Sequence, residues 1–124
     1  MTREVHVGAA QLGPIARDES RVAVVERLIA LLREGASRGC DLVVFPELAL
    51  TTFFPRWYTE DVSGHDHYFE TEMPGPETQP LFDDAREHGI GFSLGYAELT
   101  PDGERYNTTI LVERDGRVVG RFRK

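Results

Sequence analysis

One acidic residue of this sequence stands where a carboxylate could do acid–base chemistry. The apolar run LVVF at residues 42–45 ends at Pro46, Glu47 follows directly, and an aromatic-rich loop comes next. A buried strand that delivers one carboxyl group into an apolar surround raises the pKa of that group, and a raised carboxyl pKa suits general acid–base catalysis near neutral pH. We therefore predict that Glu47 is a catalytic base with a raised pKa. A solvent-facing acid or an N-cap just past a strand is the alternative, and spacing alone leaves it open.

The single cysteine, Cys40, is the obvious candidate for a nucleophile beside Glu47. It precedes the apolar run, whereas Glu47 follows it. Four strand residues at about 3.3 Å each separate the two by more than about 10 Å. Cys40 is therefore predicted to be a structural or partly exposed thiol.

Lys124 closes the sequence in the run RFRK. By composition alone it is a solvated charge. Alternation along a strand places Arg121 and Arg123 on one face and Phe122 with Lys124 on the other, which predicts an inward-facing Lys124.

The motif His65-Asp66-His67 has too few ligands to specify a metal site, and a solvated loop is the simpler interpretation. No metal or cofactor is predicted.

Aromatic side chains nearby could line a substrate pocket, but they could equally belong to the core or to a dimer contact: Phe53, Phe54, Trp57 and Tyr58. Arg56 could bind a substrate carboxylate or pair with local acids.

The elements that must position these residues alternate between strand and helix. Apolar periodicity and turn residues predict strands at 5–11, 41–45, 90–99, 106–113 and 117–123, and helices at 20–38 and 76–88. Ser20 is the predicted N-cap of the first helix and Gly39 its stop. The predicted apolar stripe of that helix comprises Val22, Val25, Leu28, Ile29, Leu32 and Ala36. The order β-α-β-α-β-β-β predicts an α/β fold whose mixed sheet starts with a parallel βαβ unit and ends in an antiparallel meander.

Composition restricts the function further. The 124 residues suggest one domain or part of one. The net charge of −7 argues against a nucleic-acid binder and against a polybasic membrane surface. No apolar run approaches the ~18 residues of a membrane span, the start has no signal-peptide character, and one cysteine excludes an internal disulfide. Together these features predict a cytoplasmic protein.

Several segments resemble the nitrilase or carbon–nitrogen hydrolase superfamily, and most of all its N-carbamoyl-D-amino-acid amidohydrolases. They are AAQLGPIAR near the start, FPELALTTFFPRW, ETEMPGPETQPLF, GYAEL, YNTTILV and GRVVGRFRK. The resemblance covers essentially the whole chain.

This resemblance implies an α-β-β-α sandwich and a Glu–Lys–Cys triad that needs no cofactor or metal. Pro46-Glu47 matches the motif of the general base, and Lys124 matches the lysine that stabilises the tetrahedral oxyanion. The motif with the nucleophilic cysteine has no counterpart here. We therefore expect residues 1–124 to be the N-terminal half of one hydrolase domain, truncated in a strand and inactive alone.

The expected complete enzyme would cleave N-carbamoyl-D-amino acids to D-amino acid, CO2 and ammonia, with a small-molecule substrate and a homo-oligomeric assembly. Another amidase or ureidopropionase of the superfamily is one alternative. A stand-alone α/β binding or interaction module without chemistry is the other.

Overall fold

The computed structural model of the protein describes residues 2–124 and contains one five-stranded mixed sheet. In chain order the elements are β1 (Val7–Ala9), α1 (Arg21–Ser37), β2 (Leu42–Val44), α2 (Gln79–His88), β3 (Gly91–Leu99), β4 (Arg105–Val112) and β5 (Val118–Arg123). The strands lie in the order β1-β2-β3-β4-β5. The first three are parallel and the last three antiparallel. The predicted order of elements and the mixed sheet are therefore confirmed.

Helix α1 begins and ends as its sequence predicts. The Ser20 hydroxyl accepts a hydrogen bond from the Ala23 amide at 3.1 Å, and Gly39 follows the helix with a φ of +78° that few residues other than glycine adopt. The predicted apolar stripe is partly wrong, because Val22 is exposed while Val24 is fully buried. In the first turn the inward face therefore includes Val24 and Val25 but not Val22.

Both helices pack on the same face of the sheet. The Cβ of an alanine at Gly35 in α1 would lie 2.5 Å from Val43, so the helix approaches β2 at a distance that only glycine allows. The sheet side of this core is formed by Val43, Phe92, Leu94, Tyr96, Ile110 and Val112. Within residues 2–124, no helix is long and apolar enough to cross a lipid bilayer.

The opposite face of the sheet is largely uncovered. Val7, Val44, Leu111 and Phe122 are exposed there. Leu111 alternates along β4 with the buried Ile110 and Val112. The described residues therefore supply one helical layer and one sheet layer of the α-β-β-α architecture.

The long segment between β2 and α2 contains two 3₁₀ helices that the sequence did not predict, Phe54–Arg56 and Val62–Tyr68. The rings of Phe54 and Tyr68 stack with centroids 4.9 Å apart. With Leu48 they cover Ala97 of β3 in a second, smaller apolar cluster. This loop covers one end of the otherwise open sheet face.

Candidate active site

The chain leaves β2 and crosses the open face of β3, which brings Glu47 over the sheet. The Phe45 amide donates to the Ser93 carbonyl at 2.9 Å, and the Ala49 amide donates to the Gly95 carbonyl at 2.8 Å. Between these two bonds, Leu48 adopts a φ of +47°, a left-handed conformation that costs roughly 1–2 kcal/mol for a residue with a side chain. Backbone strain of this kind concentrates at functional sites.

Gly95 permits this close crossing. A Cβ at Gly95 would lie 3.0 Å from the Cα of Glu47 and 3.1 Å from the carbonyl oxygen of Pro46. Both neighbours are backbone atoms, which cannot turn aside as a flexible side chain can. The sequence offered Gly95 only as one glycine of a strand, so its role was missed.

Glu47 meets Lys124 across the open face. The Lys124 ammonium donates to Glu47 Oε1 at 3.1 Å, and the Lys124 amide donates to the Asn107 carbonyl at 2.9 Å, which continues the β4–β5 ladder. The two residues predicted to act together, 77 positions apart in sequence, are therefore in direct contact.

Asn107 is a third member of this site that the sequence did not reveal. Its side-chain amide donates to the same Glu47 Oε1 at 2.5 Å. In the sequence, Asn107 belongs only to the segment YNTTILV, although strand alternation places it on the same face as Lys124. Among the described residues none donates a hydrogen bond to Glu47 Oε2, so one carboxylate oxygen is free to accept a proton.

The predicted rise in the pKa of Glu47 is wrong. The hydrogen bond from Lys124 and then that from Asn107 stabilise the carboxylate and lower the pKa of Glu47, against a smaller opposing effect of burial. Its side chain is 54% exposed, because the aromatic loop turns away behind it and packs on Ala97 instead. Glu47 is therefore ionised at neutral pH, which is the state that a proton acceptor needs.

The expectation that Lys124 points inward is also wrong. Lys124 does share a face with Phe122, but their exposed fractions are 69% for the Lys124 side chain and 68% for Phe122. The reason is that both helices pack on the other face. Lys124 therefore lies on the open side of the sheet, at the same place as Glu47.

A cavity of about 270 Å³ opens onto the pair. It is lined by Val44, Phe45, Pro46, Glu47, Ser93, Gly95, Asn107, Thr109, Phe122 and Lys124. A second cavity of about 230 Å³ touches Glu47 from the other side and has Arg56 on its wall. Apolar walls with a few convergent polar groups are typical of small-molecule sites.

Cys40 belongs to a different part of the molecule. It precedes β2 at the end opposite Glu47 and lies beside Gly8, whose added Cβ would be 3.1 Å from the thiol sulfur. The cavity next to it measures about 440 Å³, and its charged residues, Glu34 and Arg38, pair with each other. Because Glu34 and Arg38 already bind each other, the described residues that line the cavity beside Cys40 offer a substrate no free acid or base.

The His65-Asp66-His67 motif is used for packing and for an ion pair. Arg105 donates to both carboxylate oxygens of Asp66 at 2.8 and 2.9 Å, which lowers the pKa of Asp66. His67 lies against the ring of Tyr68. Among residues 2–124 there is no group of three or more side chains that could hold a metal ion.

Comparisons with known proteins identify relatives of this chain. Residues 6–124 match the model of the carbon–nitrogen hydrolase family. Nitrilase 2 from an unknown prokaryotic organism is 34% identical over 98% of the chain and 40% of its own length. The aliphatic nitrilase of Rhodococcus rhodochrous is 30% identical over 99% of the chain and 35% of its own length.

The fold is shared with solved structures. The crystal structure of a carbon–nitrogen hydrolase from Helicobacter pylori G27 superposes with a TM-score of 0.74 at 24% identity, covering 97% of this chain and 39% of that one. The chain spans 40% or less of the curated relatives named above. The family model covers nearly all of it, and the chain therefore belongs to the carbon–nitrogen hydrolase family.

Proposed function

We propose that Glu47 and Lys124 are the base and the oxyanion-stabilising cation of a thiol-dependent hydrolase that removes the carbamoyl group from N-carbamoyl-D-amino acids. The observation that carries this proposal is the 3.1 Å contact between Lys124 and Glu47 at an open cavity, with the second carboxylate oxygen of Glu47 free. The substrate is inferred from the resemblance of the motifs around Pro46-Glu47 and Phe122-Arg123-Lys124.

In the proposed reaction, the nucleophile is a cysteine thiol from a part of the complete protein outside these 124 residues. Glu47 Oε2 takes the thiol proton, and the thiolate attacks the ureido carbon. The Lys124 ammonium stabilises the negative charge that develops on the carbonyl oxygen. The C–N bond to the amino acid then breaks, and Glu47 returns its proton to the leaving nitrogen.

The second half of the reaction hydrolyses the carbamoyl thioester. Glu47 accepts a proton from a water molecule as that water attacks the thioester carbon, and the cysteine leaves as a thiol with the proton returned. The product, carbamic acid, separates into CO2 and ammonia. An ionised Glu47 is required at the start of both halves, which its lowered pKa provides.

A nitrile is the second candidate substrate. It is favoured because the two curated relatives described above are named as nitrilases. The thiol, deprotonated by the same base, would add to a nitrile carbon and give a thioimidate. Two water molecules would then convert the thioimidate to a carboxylic acid and ammonia and release the thiol. Both candidates release ammonia, so one assay compares them.

The decisive experiment uses the protein encoded by the complete reading frame. Ammonia release is measured from N-carbamoyl-D- and N-carbamoyl-L-amino acids, simple amides and aliphatic nitriles. We expect the D-carbamoyl substrates to be preferred. Turnover of nitriles or simple amides alone would overturn the substrate, and no turnover of any of them would favour a binding module.

The variant Glu47→Gln tests the role of the base. We expect kcat/KM to fall by about 100- to 10,000-fold, the usual contribution of general acid–base catalysis. Glu34→Gln is the matched control, because Glu34 also pairs with a cation, at 2.9 Å, and its side chain is 55% exposed. Wild-type activity in Glu47→Gln would refute the assignment.

A cytoplasmic location and a homo-oligomeric assembly are part of the same proposal. The single cysteine supports the former, because small secreted domains are often rich in disulfides. Cell fractionation tests the location, and light scattering of the complete protein tests the assembly.

A further inference from the structure

A closed ion pair lies directly behind Lys124, on the helix-covered face of the sheet. Arg123 donates from Nε and Nη2 to the two carboxylate oxygens of Glu98, both at 2.8 Å. The buried hydroxyl of Thr108 donates to Glu98 Oε1 at 2.7 Å. The guanidinium also lies 5.3 Å from the centre of the Tyr106 ring. Arg123 is thus bound on two sides, in the planar geometry that suits a guanidinium and a carboxylate.

The position of this pair determines where Lys124 points. Consecutive residues of a strand face opposite sides of the sheet, so a side chain fixed on one face at Arg123 directs the next one, Lys124, to the other. Thr108 and Arg123 are paired across β4 and β5. Their chain neighbours, Asn107 and Lys124, are joined by the next backbone hydrogen bond at 2.9 Å.

Lys124 has little else to hold it. Its side chain is 69% exposed, and among residues 2–124 its one polar contact is Glu47. A lysine carries its charge on a flexible four-carbon stem, and ordering such a stem costs conformational entropy. The direction in which that stem leaves the sheet must therefore be fixed by the backbone. The preceding residue, Arg123, is the neighbour whose side chain is held in place.

We propose that Arg123, held by Glu98, is a positioning residue that directs Lys124 to Glu47. The proposal rests on the function proposed above. Neither Arg123 nor Glu98 touches the cavity that Glu47 and Lys124 line, so both act through Lys124. The charged groups that face Glu47 are Lys124, directly after β5, and Arg56, across the second cavity.

The test combines activity with a titration of Glu47 in the complete protein. Arg123→Gln removes the guanidinium that donates two hydrogen bonds to Glu98, and Glu98→Gln removes the negative charge of the carboxylate. In both we expect kcat to fall, by up to about 100-fold for a displaced catalytic group, while KM stays unchanged. We also expect the pKa of Glu47 to rise, read by NMR of carboxyl-labelled glutamate, and the acid limb of kcat/KM to move to higher pH.

Arg33→Gln is the matched control. Arg33 also donates to both oxygens of a buried carboxylate, Asp84, at 3.0 and 2.6 Å, but this pair joins α1 to α2. Its loss removes a pair of the same kind and should leave the titration of Glu47 unchanged. If Arg123→Gln lowers stability in the same way without moving that titration, the pair is only structural and the proposal is wrong.

Two further measurements keep the outcome decisive. If Arg123→Gln does not fold, Arg123→Lys is measured instead, because it keeps the positive charge but not the two-pronged guanidinium. The same rise in the pKa of Glu47 is expected in Arg123→Lys. If the wild-type protein hydrolyses none of the substrates, the proposed function fails, but the NMR titration still decides whether Arg123 positions Lys124. An unchanged Glu47 titration in Arg123→Lys would also refute the positioning role.

Discussion

Glu98 and Glu47 lie on opposite faces of the same region of the sheet. Glu98 is bound by Thr108 of β4 and Arg123 of β5, and Glu47 is bound by their chain neighbours, Asn107 and Lys124. Glu98 is closed in. Its side chain is only 12% exposed, Arg123 and Thr108 supply three hydrogen bonds to it, and both of its oxygens are occupied. A carboxylate in this state can hold two strands together but has no free oxygen for a substrate.

Glu47 has the same kind of partners in an open arrangement. Asn107 and Lys124 both donate to Oε1, and its side chain is 54% exposed to the cavity. The pKa of each acid is lowered by its cation first of all, so charge does not distinguish them. The difference is one unoccupied oxygen, which makes Glu47 available for proton transfer while Glu98 is not.

After the loss expected for Glu47→Gln, the largest effect is expected from replacing the cation that contacts Glu47. Lys124→Met should lower kcat/KM of the complete protein about 100- to 1000-fold, the loss typical of one oxyanion-stabilising group. The pKa of Glu47 should rise, since the bond from Lys124 is the main cause of its lowering, and the acid limb of the pH profile should move to higher pH. Arg117→Met is the control, because Arg117 pairs with Asp115 at the surface at 3.5 Å. Equal losses in both variants would remove the distinction.

The next effect concerns the backbone under Glu47. Gly95→Ala places a Cβ 3.0 Å from the Glu47 Cα, so the strained turn must shift away from β3. We expect kcat to fall on the order of 100-fold, as for a misplaced catalytic group, and packing strain to cost about 1–3 kcal/mol of the free energy of unfolding.

Gly120→Ala is the control for this substitution. Gly120 lies on β5, where an added Cβ would be 3.5 Å from Leu111, an ordinary contact. Steady-state kinetics and urea unfolding compare the two variants. Full activity in Gly95→Ala would show that the position of Glu47 tolerates displacement of the backbone.

These comparisons also explain how much could be predicted from the sequence. Local signals were enough for the order of elements, for the caps of α1 at Ser20 and Gly39, and for an acid at the end of β2. Such signals act over a few residues, within one helical turn or one strand alternation.

The errors concern contacts between distant segments. The lowered pKa of Glu47 depends first on Lys124 and then on Asn107, which are 77 and 60 residues away in sequence. The exposure of Lys124 depends on which face of the sheet the helices cover. The role of Gly95 depends on another segment crossing it. Two 3₁₀ helices in the long loop lack the periodicity that would reveal them, because each is only one or two turns long.

A smaller effect is expected on the free energy of unfolding. Here the substitution of Glu98 should have the greater effect, whereas the substitution of Glu47 should have the greater effect on activity. Glu98→Ala leaves the buried Thr108 hydroxyl and the Arg123 guanidinium without their acceptor, which should lower the free energy of unfolding by about 2 kcal/mol. Glu47→Ala removes a largely exposed side chain and should change it by less than about 0.5 kcal/mol. Urea unfolding of the complete protein measures both. A greater loss of stability in Glu47→Ala would reverse our assignment of the structural and the functional acid.

The smallest effect is the pH dependence of stability. Because Arg123 lowers the pKa of Glu98 in the folded protein, the stabilisation is fully present above the unfolded value of about 4.3 and is lost as the pH falls through the folded pKa. The difference in unfolding free energy between wild type and Glu98→Gln should therefore be greatest near neutral pH and shrink below about pH 4.3. A difference that does not change with pH would mean that the Glu98 charge contributes nothing to folding.

Added salt should affect the pH dependence of stability differently for Glu47 and Glu98. Glu47→Gln should show a pH dependence of the same sign, since the pKa of Glu47 is also lowered. At about 1 M salt, where charges are screened beyond roughly 3 Å, the exposed pair of Glu47 and Lys124 should lose this dependence. The sheltered pair of Glu98 and Arg123 should keep most of it, because its carboxylate is shielded from solvent ions. Equal salt sensitivity in the two variants would mean that Glu47 and Glu98 share one environment, and the contrast between an open and a closed carboxylate would not hold.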